Sequence, residues 1–159
     1  MKKALIVAVL LVAGTGVAFA SSLGLPWFVD NADNAVSLSN VGGVLGLVFL
    51  HNNLSSDITA SVAYFSQDGN PLPIAGSTTF NISANASIAF RPVADDPESG
   101  GGQEGLEGAL VPNRPRDVDP KKNGSLVITW AGDPTDIQGA YQQYRNQNQA
   151  LSFLLPPGV

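Results

Sequence analysis

The sequence predicts an all-β fold: an antiparallel β-sandwich, immunoglobulin-like or jelly-roll, with about seven or eight strands after a cleaved signal peptide. Three observations predict it. Short apolar or alternating runs recur between turn signals from residue 23 onward. No helix-length amphipathic segment follows Ala20. The first twenty residues carry the three-part pattern of an export signal.

Lys2 and Lys3 form a positive start, Ala4 to Ala13 an apolar run, and Ala18-Phe19-Ala20 a small-residue exit for a signal peptidase. A membrane anchor needs ~20 predominantly apolar residues, a length that residues 4–20 barely reach. The small-residue exit, with no positive flank after it, favours cleavage after Ala20. No arginine pair marks a twin-arginine route, and no cysteine is present for lipid attachment. The short lysine-led signal points to a bacterial protein exported across the inner membrane, to the periplasm, the cell surface or the medium.

Cleavage leaves residues 21–159 as one domain, large enough to bury a core without staples. With no cysteine, neither disulfide nor thiolate metal site is available. Of eight basic residues, Lys2 and Lys3 leave with the signal; six then face thirteen acids, a net charge of −7. So acidic a chain does not suit nucleic acid, whose phosphates call for Lys and Arg, nor anionic lipid. Charged residues make up only 13%, about half the usual ~25%; Ser, Thr, Asn and Gln supply the remaining polarity.

The domain begins at Leu23 to Asp30. Val44 to Leu50 is a nearly continuous apolar run, expected as a central strand buried on both faces. Ile58 to Phe65 alternates, with Ile58, Ala60, Val62 and Tyr64 on one face. Asp68-Gly69-Asn70-Pro71 is a turn, because Gly accepts positive φ and Asp bonds its own backbone. Thr78 to Ile82 and Ala86 to Arg91 follow as short strands, and Pro92 ends the second. Ser125 to Trp130 alternates again. Ile137 to Arg145 reads as a strand, although its Gln and Tyr content also permits a short helix. Asn146 to Gln149 is expected as a hairpin loop and Ala150 to Leu155 as the closing strand. The expected core is Leu47, Phe49, Val62, Tyr64, Phe80, Ile88, Phe90, Leu126, Ile128 and Trp130.

Val93 to Asn123 differs. Gly100-Gly101-Gly102, five acids between Asp95 and Glu107, and Pro112, Pro115 and Pro120 leave no strand or helix, so a long Gly/Pro/acid-rich loop is expected over 93–123. An eight-stranded outer-membrane barrel is the rival architecture. Its strands run ~9–11 residues between aromatic girdles, longer and more aromatic than these.

No catalytic or metal-binding constellation stands out, so no catalytic residue, metal ligand or cofactor is assigned. His51 is the only histidine and reads as a strand-end polar residue; no nucleophile-elbow pattern accompanies it. Asp95, Asp96, Glu98, Glu104 and Glu107 are the densest set of oxygen ligands, but their spacing matches no EF-hand or repeat-type calcium loop, and a solvated acidic loop is expected. A Gly-rich loop is also a poor mount for the rigid carboxylate pair of a glycosidase. Trp27, Phe28 and Trp130 are candidates for a sugar-stacking platform. Trp130 shares a face with Leu126 and Ile128 and is therefore assigned to the core. The Asn-x-Ser triplets at Asn53, Asn81, Asn85 and Asn123 carry no weight in an Asn/Ser-rich bacterial-type chain.

The expected binding residues are thus Trp27, Phe28, the five loop acids, and Arg114 and Arg116, which give the loop a surface of mixed sign. The expected function is that of a secreted, non-catalytic β-sandwich acting as a cell-surface, matrix or partner-binding module. Its partner would be a protein or polysaccharide of the cell envelope, with no nucleic acid and no membrane span after signal cleavage. The alternatives are a carbohydrate-binding module, with or without calcium, and a small secreted hydrolase.

Overall fold

The computed structural model describes residues 20–32, 43–74, 76–93, 111–115, 121–145 and 148–156. Of the expected signal, Met1 to Ala20, residues 1–19 lie outside them. The described strands are β1 (Ala20–Val29), β2 (Val44–Asn52), β3 (Ile58–Phe65), β4 (Pro71–Leu72), β5 (Thr79–Ile82), β6 (Ser87–Phe90), β7 (Asn123–Ala131), β8 (Ile137–Arg145) and β9 (Asn148–Leu154). All pairings between them are antiparallel. The first sheet has the order β1-β7-β3, with β4 and β5 sharing the other side of β3; the second has the order β6-β2-β8-β9. The all-β expectation holds, and β8 is a strand rather than a helix.

Period-two alternation decides which side chains go inside. In β3 and β7 the inward rows are Ala60 opposite Trp130, Val62 opposite Ile128 and Tyr64 opposite Leu126, all buried. The second sheet answers with Val48, Leu50, Ile88, Phe90, Ile137 and Tyr141 in the same cluster. Each fully buried large apolar side chain contributes about 1.5–3 kcal/mol. A membrane barrel directs its apolar residues outward; here they face inward, between the sheets.

β2 is apolar on both faces, as its sequence suggests. Val48 and Leu50 face the main core, while Leu45 and Leu47 form a second buried cluster with Ala32. Phe49 corrects the expected core. It shares the outer parity of Leu47 and is only half-buried, because a run with apolar residues at both parities does not reveal which side is the interior.

β1 is interrupted by a bulge. Leu25 pairs with Leu126 and Phe28 with Gly124, so Pro26 and Trp27 together oppose one residue of β7. The extra residue turns Trp27 outward and Phe28 inward. Gly124 is required there, since a Cβ would lie 2.5 Å from the Phe65 carbonyl oxygen and against the Phe28 ring. The Asp68-Gly69 turn forms as expected, with Gly69 at φ +78° and its N–H donating to Ser66 O.

The expected loop 93–123 is corrected at its ends. Val93 makes a parallel bridge to Arg114, Arg114 N–H donates to Pro92 O, and Val111 is fully buried in the core. Asn113 is buried too, and neither of its side-chain amide atoms has a hydrogen-bond partner. Residues 94–110 and 116–120 lie outside the described residues. The hairpin between β8 and β9 is tighter than expected, because Arg145 already pairs with Asn148.

Tyr64 and Tyr141 are fully buried. Tyr64 donates to Pro112 O at 2.9 Å, and Tyr141 lies against the backbone of Val29. Burial pushes both phenols far above their ordinary value of 10.0. The unfolded chain therefore releases these protons at a lower pH than the folded one. Their contribution to stability is whole below about pH 10 and is lost as pH rises above it. In an alkaline titration, tyrosinate absorbance from these two rings should appear together with loss of the β-sheet circular dichroism signal. Their ionisation in a still-folded chain would contradict the packing.

Candidate functional site

Of the residues expected to bind a partner, the described ones, Trp27, Phe28 and Arg114, do not come together on one surface. Trp27 is exposed at 42% on the β1 bulge. Phe28, its neighbour, is fully buried, edge-on to Tyr64 with ring centroids 6.1 Å apart. Arg114 is also interior: its guanidinium donates to Asn123 O at 2.9 Å and its charge acts on Tyr64. Phe28 and Arg114 thus meet around Tyr64 inside the domain and present no surface to a partner. Asp95, Asp96, Glu98, Glu104, Glu107 and Arg116 lie outside the described residues. Trp130 is core, as expected, with its indole N–H donating to Asp133 O.

Behind Arg114 lies a buried ion pair with no local signal in the sequence. Arg91 NH2 approaches Asp30 Oδ1 at 2.7 Å, with the two side chains 1% and 0% exposed. Arg91 Nε also donates to this carboxylate, and its NH2 donates to Ala32 O. Val93 N–H completes the cage at 3.0 Å from Asp30 Oδ2. Burial raises the Asp30 pKa, opposed by the charge and hydrogen bonds of Arg91 and by the N–H groups of Val93 and Gly46. The pair ties the end of β1 to the chain leaving β6. Removed from solvent, it reads as a structural lock.

His51 stands on the outer face of the second sheet, its Nδ1 2.9 Å from Ser87 Oγ. With Ser87 on Nδ1, no carboxylate orients the ring there as a catalytic triad requires.

The surface that does form is an apolar row on this same outer face. Pairing sets Ala89, Phe49, Ala140 and Leu154 side by side across β6, β2, β8 and β9. Ser87, His51 and Gln138 form the next row. Two shallow depressions of about 250 and 280 Å3 flank Leu154 and share Gln138 and Gly139. Leu154 is 81% exposed and Leu151 47%.

The nine strands hold a single charged residue, Arg145 at the end of β8. Both outer faces are therefore uncharged along the strands. On the first sheet, Ser22, Thr129, Ser61 and Thr79 form a cross-strand row, and Ser61 and Thr129 are hydrogen-bonded at 2.7 Å. The exposed apolar residues that the sequence does not single out are Leu151 and Leu154. Their one signal is Leu151-Ser152-Phe153-Leu154-Leu155, which is apolar at both parities.

No protein-family model, curated protein or solved structure matches the chain. Among the described residues no helix is long and apolar enough to cross a membrane, and no group of acids and histidine is placed to hold a metal.

Proposed function

We propose that this chain is an exported, non-catalytic β-sandwich that binds a partner at the cell envelope through the outer face of its second sheet. The observation that carries the reading is Leu154, 81% exposed at the end of an apolar row with half-buried Phe49 and Ala140, on an otherwise uncharged face. A domain of net charge −7 after cleavage would ordinarily place charge on such a face for solubility. An apolar patch rimmed by Ser87, His51 and Gln138 has the composition of an interaction site.

Export is supported by the Ala18-Phe19-Ala20 exit. A cut after Ala20 leaves Ser21 paired opposite Trp130 and bonded through Oγ to Gly132 O. The finer fold is a jelly-roll-like wrapping. The pairs β1–β7, β2–β6 and β3–β5 nest within one another and alternate between the sheets, as in a long hairpin rolled on itself.

The test uses the protein in its own cells. Wild-type chain should be retained by the envelope fraction through a salt wash, and its N-terminal residue should be Ser21. A Phe49→Asp, Leu154→Lys variant should be processed identically but found free in the wash. Equal retention of both would remove the outer face from the reading. A polysaccharide partner is the second reading, favoured by the exposed Trp27 and the hydroxyl row of the first sheet. It requires that Trp27→Ala release the chain from insoluble glycan.

A further inference from the structure

Each sheet edge carries a different degree of protection. A bare edge strand is a template for another chain, and proteins blunt such edges with Pro, bulges, charge, short strands or a cover. β1 is broken by Pro26 and its bulge. The far side of β3 is shared by two short pieces, β4 and β5. β6 has four residues, and its outward-facing Ala89 is buried. Among the described residues, β9 has none of these devices from Leu151 to Leu154. It carries no charge and no proline, and its irregularity lies before Leu151.

The backbone of this stretch is directed outward at two residues. Leu155 N–H donates to Gly139 O, so the pairs in phase with it, Phe153 with Tyr141 and Leu151 with Gln143, bond toward β8. The alternating residues, Ser152 and Leu154, therefore point their N–H and C=O groups away from β8. Side chains continue the pattern. Leu154 is exposed on the outer side of the edge and Leu151 on the inner side, so a strand added here would find apolar contact above and below the sheet.

We propose that the occupant of this edge is a second copy of the same chain, added β9 to β9, antiparallel, about a two-fold axis through Phe153. This rests on the reading of the second sheet as an interaction surface and extends it to the β9 edge. The outward groups select this geometry. Ser152 and Leu154 are symmetric about Phe153, so the two-fold sets Ser152 of each copy opposite Leu154 of the other and satisfies every outward group of both residues. Charge selects it as well. Two copies of net charge −7 repel over most of their surface, but β9 brings no like charges face to face. The pairing is isologous, so it closes at a dimer and joins two four-stranded sheets into one of eight. One strand pair with a leucine on each side falls below the ~1,200 Å2 of standard interfaces, which places the dimer in the weak, concentration-dependent class.

The experiment is light scattering on the exported protein across a concentration series into the millimolar range. The expected result is a mass that rises toward twice the monomer and returns on dilution. Ser152→Pro removes one outward N–H while leaving the β8 ladder intact, and Leu154→Lys adds an edge charge. Both variants should stay monomeric, with thermal midpoints near wild type. The chain has no cysteine, so register can be read directly. An equimolar mixture of Ser152→Cys and Leu154→Cys chains should oxidise to far more disulfide dimer than either alone. A wild type that remains monomeric throughout overturns the second-copy proposal, as do dimers that persist in both variants or assembly beyond two copies. Envelope retention of a monomeric wild type would leave the partner-face reading standing; loss of retention would take both.

Discussion

Arg91→Ala is expected to cost about 3–5 kcal/mol, the usual effect of removing one member of a buried ion pair. The variant strands the Asp30 carboxylate, which is fully buried. It also removes the donor to Ala32 O, on the stretch that packs with Leu45 and Leu47. The remaining donors to Asp30, Val93 N–H at 3.0 Å and Gly46 N–H at 3.5 Å, do not neutralise the charge. The pH dependence supplies a second readout. Without Arg91 the largest opposing influence on Asp30 is gone, so its folded-state pKa rises further above the ordinary 3.8. A raised carboxyl favours folding at pH below its unfolded value and loses that stability as pH rises through its folded value. The deficit of Arg91→Ala should therefore shrink as pH falls from 7 toward 4, measured by urea denaturation at each pH. A deficit that does not change with pH would mean that the arginine acts by packing alone. A Asp30→Asn, Arg91→Met double variant should lose less than the sum of its singles, because it leaves no uncompensated charge.

The alternating strands were legible because their two faces differ in chemistry. Val62 and Tyr64 point one way and Ser61 and Ala63 the other, so one face had to be interior. The same logic placed Trp130 correctly. It gives no answer at Phe28, since Pro26 and Trp27 form a bulge that shifts the parity of everything after it. A bulge is fixed by how two strands pair, which a single strand does not encode. Arg114 is a related case: a cation among prolines and acids reads as surface, yet the fold carries it inside, with its backbone on Pro92 O, its guanidinium on Asn123 O and its charge beside Tyr64. Asp30 and Arg91 are 61 residues apart, and no local pattern links them. Leu154 is the opposite case. Its hydrophobicity is plain in the sequence, but its exposure follows from β9 standing at the edge of the second sheet.

Phe90 and Phe49 give the sharpest test of how the second sheet faces. Both are apolar positions of neighbouring strands, and both belong to the core expected from the sequence. The register makes them differ: Phe90 pairs with Val48, Phe49 with Ala89, one residue out of phase. Phe90 therefore enters the main core with no exposure, among Leu50, Ile88 and Tyr141, while Phe49 stands half-buried on the outer face. Truncating a buried phenylalanine removes its transfer free energy and leaves a cavity that close-packed neighbours fill only in part. Phe90→Ala should cost about 3–5 kcal/mol on that basis. Phe49→Ala leaves no closed cavity and should cost less than half as much. Chemical denaturation of the two variants, with unchanged m-values, reads the difference directly. Equal losses would mean that the outer face is as tightly covered as the core, which would remove the apolar row as a binding surface. A loss below about 1 kcal/mol at Phe90 would mean that the strand faces the other way.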